Sequence, residues 1–265
     1  MGGQITQPTI SVLIFTYNAE REIRDCIQSA GLLSENIRVV DLESTDNTAE
    51  IAGQAGAIIS SHSRPMYVEL VRDFGIKNAT SEWVFILDVD ERMTRELADE
   101  VKQAVNNTSL THYKVPRKNI FARVKWLSHG GWWPDYQIRL INTKYFRSWP
   151  KVIHSTPIID GAIGYLHKPI THYFHSDIES MVKKTIVFEN IESDLLYEAQ
   201  RNVSTITFFR KFLGEFFRRF CKNVGFLDGT IGIIESIYQA YSKTITYLYL
   251  YEKKSGFGEQ SSRTL

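Results

Sequence analysis

Glu82-Trp83-Val84-Phe85-Ile86-Leu87 runs into Asp88-Val89-Asp90, and this stretch decides the fold class. Its large apolar and aromatic residues make a continuous run, as expected of a strand covered on both faces rather than one. The run stops at two carboxylates. A helix is predicted next, with Thr94 as its cap and Leu97, Val101 and Val105 on one face. Upstream, the same alternation repeats. Thr9 to Phe15 reads as a strand closed by Thr16-Tyr17-Asn18, and Asn18 is expected to cap a helix that buries Ile23, Cys26 and Ile27. Ile37 to Val40 is a short strand ending at Asp41, and Ser44 to Thr48 offers caps for a helix over about 49–54. Ala57 to Ser60 makes a third strand. Repeated βα units predict an α/β fold with an open, mostly parallel sheet, whose ligands bind beyond the carboxyl ends of the strands. The polar residues singled out below fall at those ends.

The bulk properties agree with one catalytic-sized domain plus an appendage. The chain has 265 residues, 43% hydrophobic and 23% charged, with a formal net charge of +1. No global basic field points to nucleic acid. Cys26 and Cys221 are the two cysteines and neither sits in a CxxC pair, which excludes a zinc ribbon and fits a reducing compartment. The start lacks a basic, apolar secretory signal. Gly2 with Thr6 satisfies the permissive N-myristoylation pattern but is not read as an anchor. A cytoplasmic location follows. From about Tyr113 to His175 the pattern is irregular, and beyond it the chain turns helical. The expected division is 1–176 for the α/β domain and 177–265 for a helical region.

Asp88 and Asp90, at alternate positions of an extended stretch, can project to one side and share a divalent cation. Magnesium or manganese takes oxygen ligands and would neutralise charge on a departing nucleoside diphosphate. Two solvated acids at a strand end are the plainer reading. Asp41 is placed to accept hydrogen bonds from a base or ribose, while Ser44 and Asn18 suit helix capping as well as ligand contact. Arg72 and Lys77 could hold phosphate, with a surface ion pair to Asp73 or Glu69 as the competing role.

The set Thr16-Tyr17-Asn18, Asp41 with Ser44-Thr45-Asp46, Arg72-Asp73-Phe74-Gly75 and Leu87-Asp88-Val89-Asp90 resembles glycosyltransferase family 2. Gly130-Gly131-Trp132-Trp133-Pro134-Asp135-Tyr136-Gln137-Ile138-Arg139-Leu140, with Glu91-Arg92 after the paired acids, resembles the bacterial subgroup of lipopolysaccharide-core β-glucosyltransferases. The resemblance implies a GT-A fold, a UDP-sugar donor with glucose favoured, inversion at the sugar carbon, and Mg²⁺ or Mn²⁺ on Asp88 and Asp90. It also implies donor contacts from Thr16, Tyr17, Asn18, Asp41, Ser44, Arg72, Asp88, Gln137 and Arg139. An inverting transfer needs a carboxylate to take the acceptor proton, and Asp135 is the candidate base. Arg139 could instead be its ion-pair partner. Trp132 and Trp133 could stack on an acceptor sugar or serve as wall. His154 and His172 fall where the subgroup has histidines, either as metal ligands or as ordinary hydrogen-bonding side chains. Two departures stand out. Leu42-Glu43 replaces small residues after Asp41, and the Gln-x-x-Arg-Trp string of polymerising relatives is absent, which argues for addition of a single sugar.

Between Val203 and Lys222, phenylalanines interleave with Arg210, Lys211, Arg218, Arg219 and Lys222. A basic amphipathic helix of this kind lies in a lipid headgroup region. Gly225-Phe226-Leu227-Asp228-Gly229 makes a turn that also resembles the subgroup's tail. The apolar run Ile231 to Leu250 carries Glu235 and Lys243, which argues against a clean span. The sequence therefore implies a protein peripheral on the inner face of the cell membrane, with a lipid-linked or lipopolysaccharide-type saccharide as acceptor. Rival readings are a nucleotidyltransferase, which would want a Gly-rich phosphate loop near the first strand, and a catalytically dead binding scaffold.

Overall fold

The computed structural model describes residues 7–175 and 178–256, so Gly2 and Thr6 lie outside the described residues. Contacts divide the chain into two compact units. One is Met1–Lys118 with Asp135–His172, and the other is Asn119–Pro134 with Tyr173–Leu265. Residues 119–134 therefore group with the helical region, a division that a single boundary near 176 does not capture.

The first unit begins β1 (Ile10–Thr16), α1 (Ile23–Ala30), β2 (Ile37–Asp41), α2 (Thr48–Gln54), β3 (Ile58–Ser61), α3 (Glu69–Lys77) and β4 (Trp83–Asp88). It continues with β5 (Glu91–Arg92), α4 (Arg95–Ala104) and β6 (Leu110–Phe121), whose last residues enter the second unit. Strands β1 to β4 are parallel in the order β3-β2-β1-β4, as repeated βα units dictate. Beyond β4 the neighbours change sense. After β7 (Lys125–Trp126) of the second unit comes β8 (Asp135–Asn142), which runs antiparallel to β4 and to β6. A small pair, β9 (Phe146–Ser148) and β10 (Ile158–Ile159), stands apart from the sheet. β11 (Ala162–Tyr165) lies parallel to β6, and β12 (Ile170–Phe174) pairs antiparallel with β5. The sheet is thus parallel where the βα pattern is clear and mixed afterwards.

Alternation along the central strands explains the two cores. Val12, Ile14, Phe85 and Leu87 face α1 and α4 and pack with Ile23, Ile27, Leu97 and Val101. Leu13, Phe15, Val84 and Ile86 point the other way, onto Val71 and Ile76 of α3. Burying large apolar side chains on both faces contributes about 1.5–3 kcal/mol each, which is why these strands read as unbroken apolar runs. Gly75 lets α3 sit close, since a Cβ there would lie 2.7 Å from the Phe15 ring. Thr94 caps α4 by accepting from Leu97 N at 3.2 Å, as expected. Asn18 does not cap α1, which starts after Glu22. Instead it adopts φ 46° and its side chain accepts from Thr45 N at 2.7 Å, joining the two strand-end loops.

The second unit comprises β7 and the helices α5 (Ile178–Glu198), α6 (Thr205–Phe216) and α7 (Gly229–Ser255). A π-helical stretch, Phe217–Lys222, extends α6, and a 3-10 turn, Gly225–Asp228, leads into α7. The predicted turn is therefore present. Its closeness needs glycine, because a Cβ on Gly232 would lie 2.0 Å from the Gly225 carbonyl oxygen. Asp228 closes it further, accepting from His129 N at 2.8 Å and from Ser128 Oγ at 3.0 Å. Burial would raise the Asp228 carboxyl, but the His129 ring, 2.9 Å from Oδ1, together with these bonds outweighs it and holds it below the ordinary range. Among the described residues no helix is long and apolar enough to cross a membrane.

Candidate active site

The first unit gathers its polar residues at the carboxyl ends of the parallel strands. Thr16 and Asp41 are register partners in β1 and β2 and both are buried. Asp41 Oδ2 accepts from Ser44 N at 3.1 Å, while Asp41 Oδ1 and Thr16 Oγ1 are buried with no partner among the described residues. Such orphaned atoms are costly, and a ligand that donates to them would offset that cost. Ser44 Oγ accepts from Asn18 N at 2.9 Å, so both residues fix loop geometry here. Tyr17 lies under the Arg64 guanidinium, 3.6 Å from its ring centroid. Glu43, the awkward acid of the sequence, accepts from Arg64 N at 3.3 Å.

A second cluster surrounds Asp88. Arg72 Nη2 donates to its Oδ1 at 3.1 Å and Arg139 Nη2 to its Oδ2 at 2.5 Å. Arg139 also meets Glu91 Oε1 at 2.5 Å, and Glu91 is fully buried. Arg117 Nη1 lies 3.6 Å from that same oxygen and its Nη2 lies 2.6 Å from Asp135 Oδ2. Gln137 Nε2 donates to Asp135 Oδ1 at 2.8 Å. Arg72, Asp88, Arg117, Gln137, Arg139 and His154 line one cavity of about 350 Å³. Burial would push the Asp88 carboxyl up, but the Arg139 and Arg72 charges beside it dominate and hold it well below the usual carboxylate range. Burial alone would lower Arg139, and Asp88 and Glu91 outweigh it to raise the guanidinium above its ordinary value. Arg72 Nε and Arg139 Nε remain buried donors without a partner among the described residues. Paired carboxylates thus fix the guanidiniums while leaving N–H groups for an anion.

Several expectations are resolved by these contacts. Arg139 pairs with Asp88 and Glu91, and Asp135 pairs with Arg117, placed directly opposite in the β6–β8 register. Lys77 pairs with Asp73 at 2.7 Å, one turn apart along α3. Nothing in the sequence singled out Arg117, because only strand pairing brings it to Asp135. Trp149, 4.9 Å from the Arg72 guanidinium, was equally silent.

The paired acids diverge. β4 ends at Asp88, and Val89-Asp90 form a turn, so strand alternation does not carry through to Asp90. Asp90 Oδ2 instead lies 3.6 Å from His172 Nε2. Both Asp88 oxygens already accept from arginine. Among the described residues no group of three or more metal-ligating side chains occurs. An oxygen and an imidazole nitrogen suit a divalent cation that completes its shell with ligand oxygens. Asp90 and His172 together offer one oxygen and one imidazole nitrogen of this kind, while both oxygens of Asp88 are taken up by Arg72 and Arg139. His154, at φ 58°, donates its backbone N–H to Glu69 Oε1 at 3.1 Å.

Trp132 and Trp133 belong to the second unit. Trp132 lies 4.8 Å from the Phe174 ring and 5.0 Å from the Arg219 guanidinium, and its carbonyl accepts from Asn119. It packs against the apolar cluster of Phe121, Leu127, Phe174 and Met181. Trp133 meets Trp126 edge to face at 5.6 Å and precedes a cis peptide to Pro134.

The chain is 25% identical over 255 residues to an uncharacterized glycosyltransferase of Rickettsia conorii, covering 92% of this chain and 90% of that one. A counterpart from Rickettsia typhi is 26% identical over 255 residues, covering 92% and 87%. Among solved structures, the mannosyltransferase PcManGT from Pyrobaculum calidifontis, in complex with GDP-Man and Mn²⁺, is similar with a TM-score of 0.50 and 13% identity, covering 90% and 74%. S. aureus TarS 1–349 in complex with UDP-GlcNAc has a TM-score of 0.49 and 15% identity, covering 94% and 92%. The likeness to the mannosyltransferase shows the GT-A fold and no more. The model of glycosyl transferase family 2 matches residues 11–164, more than half of the chain and including the ends of β1, β2 and β4, and the chain belongs to that family.

Proposed function

We propose that this protein transfers a single sugar from a UDP-sugar, with inversion, to a hydroxyl of a lipid-linked or lipopolysaccharide-type saccharide at the inner face of the cell membrane. The observation that carries the reading is the run of alternating charges from Asp88 through Arg139, Glu91 and Arg117 to Asp135, of which Asp88, Arg117 and Arg139 line one cavity. It sets carboxylates among anion-binding guanidiniums, as a transfer from a diphosphate requires. Similarity to a mannosyltransferase solved with GDP-Man and Mn²⁺ supports a nucleotide-sugar donor. UDP, glucose and inversion rest on the subgroup resemblance.

In this reading, Thr16 Oγ1 and Asp41 Oδ1 accept from the base or ribose, with Tyr17, Asn18 and Ser44 shaping the loop around it. Arg72, Arg139 and Gln137 face the diphosphate. Asp135 takes the proton of the acceptor hydroxyl as its oxygen forms the new bond to the anomeric carbon, and the bond to UDP breaks with its electron pair. Arg117 orients Asp135. Mg²⁺ or Mn²⁺, held by Asp90 with His172, would supply charge neutralisation on the diphosphate.

The test is a donor screen. Purified protein is incubated with UDP-, GDP- and dTDP-sugars plus Mn²⁺, and nucleotide release is followed with and without chelator. Chelator-sensitive UDP release from one sugar is expected. Asp135→Asn should cut transfer by ~10²-fold or more while leaving donor binding intact. Near-native transfer by that variant refutes the assignment.

A further inference from the structure

Among the described residues, α6 presents an apolar face to solvent. On α6 and its π-helical extension, Ile206, Phe209, Leu213 and Phe217 are 71%, 62%, 58% and 62% exposed. Their spacing of three and four residues sets them in one stripe, since such positions stack on a helix face. Phe226 and Leu227 of the following turn are exposed as well. Side chains of this size usually find cover, and a contiguous row of them marks an interaction surface.

Charge names the partner. Residues 203–222 carry five cations and one acid, Glu215, a net of +4 in a chain whose total is +1. Glu215 is itself taken up by Arg218 and by Arg219, the latter at 2.7 Å. Lys211 turns inward, 4.6 Å from the Tyr247 ring centroid. Arg210 and Lys222 remain exposed beside the stripe. A second copy of this face would bring +4 against +4, which disfavours self-association through it. A phospholipid surface with anionic headgroups matches both features: acyl chains for the phenylalanines and phosphates for the cations.

The same unit has another apolar groove, between α5 and α7, of about 350 Å³ and lined by Val182, Ile186, Tyr241 and Leu248. Helix α5 bears five acids against Lys183 and Lys184, a net of −3. That side repels an anionic surface. The charge asymmetry therefore distinguishes the two apolar faces.

We infer that the α6 face, from Ile206 to Phe217 with the Phe226-Leu227 turn, is the docking surface for an anionic lipid bilayer, with α6 lying in the interface and the α5 side turned away. This deepens the membrane-surface acceptor reading above and rests on it for its purpose. Its physical content concerns binding alone. Docking holds an enzyme whose acceptor is lipid-linked at the plane where that acceptor resides.

The experiment measures co-sedimentation of the full chain with phosphatidylcholine vesicles, with and without phosphatidylglycerol, in the absence of donor and acceptor. Binding to the anionic vesicles is expected, weakened by salt. Phe209→Glu with Phe217→Glu should lower the partition coefficient about tenfold or more. Arg210→Gln and Lys222→Gln should each lower it about fivefold. Ile186→Glu, on the α5 side, should leave it unchanged. Each variant is checked by circular dichroism and by nucleotide release from UDP-sugar in solution, which should match the native protein. Undiminished binding by the Phe209→Glu, Phe217→Glu variant overturns the proposal. So does loss of binding in Ile186→Glu, or self-association through α6 without vesicle binding. Vesicle binding without nucleotide release would sink the proposed activity and leave the docking face standing. Nucleotide release without vesicle binding would do the reverse.

Discussion

Arg139→Leu tests the ionic chain most directly, because Arg139 is shared. Its guanidinium lies 2.5 Å from both Asp88 and Glu91, and both Arg139 and Glu91 are buried. Three guanidiniums (Arg72, Arg117, Arg139) balance three carboxylates (Asp88, Glu91, Asp135). After substitution one buried negative charge is uncompensated, because Arg117 stands 3.6 Å from Glu91 and is itself committed to Asp135. Removing one partner of a buried pair costs ~3–5 kcal/mol, mostly as the penalty on the charge left behind. For a chain of this size a kcal/mol shifts Tm by about 2–4 °C, so a drop on the order of 10 °C is expected at neutral pH. Differential scanning fluorimetry across pH reads it. Asp88 is held below the ordinary carboxylate range by the Arg139 and Arg72 charges, against the opposing effect of burial. Its stabilising contribution is therefore present above the unfolded value near 4 and lost as pH falls through the folded one. The gap between variant and native protein should narrow on acidification, as carboxylates that gain protons no longer need the cation. Adding Glu91→Gln to Arg139→Leu should recover more than about 1 kcal/mol. A variant that melts within ~2 °C of the native protein at pH 7, or a gap that ignores pH, refutes the account.

Three further outcomes concern the helical unit. Gly232→Ala sets a Cβ 2.0 Å from a backbone oxygen that cannot swing aside, and should cost at least about 1–3 kcal/mol in a denaturant melt. Gly214→Ala meets nothing within 4 Å and should instead stabilise by about 0.5–1 kcal/mol. Glu235 is buried on α7, with Oε1 unpartnered among the described residues and the carboxyl pushed up to about 7 by burial. Its favourable contribution is full below the unfolded value near 4.3 and lost as pH rises through about 7. Glu235→Gln should therefore melt higher than native by ~1–3 kcal/mol at pH 8, with no advantage at pH 4. An equal effect at both pH values would contradict that reading.

The sequence by itself determined the parallel half of the sheet and its polar rim. Unbroken apolar runs such as Val84 to Leu87 suit only a strand covered on both faces, and loops at strand ends must carry the polar residues. Thr16, Asp41 and Asp88 could therefore be placed before any coordinates. The amphipathic character of residues 203–222 was legible for a similar reason, since helical periodicity is a local property. Tertiary structure alone decided the partnerships. Arg117 meets Asp135, and Arg139 meets Asp88 and Glu91, through antiparallel registers between strands far apart in sequence. Coulombic pairing depends on distance in space and leaves no trace in spacing along the chain. The parting of Asp88 from Asp90 likewise needed the turn at Val89-Asp90, where the two-residue period of a strand ends and the pairing it implied ends with it.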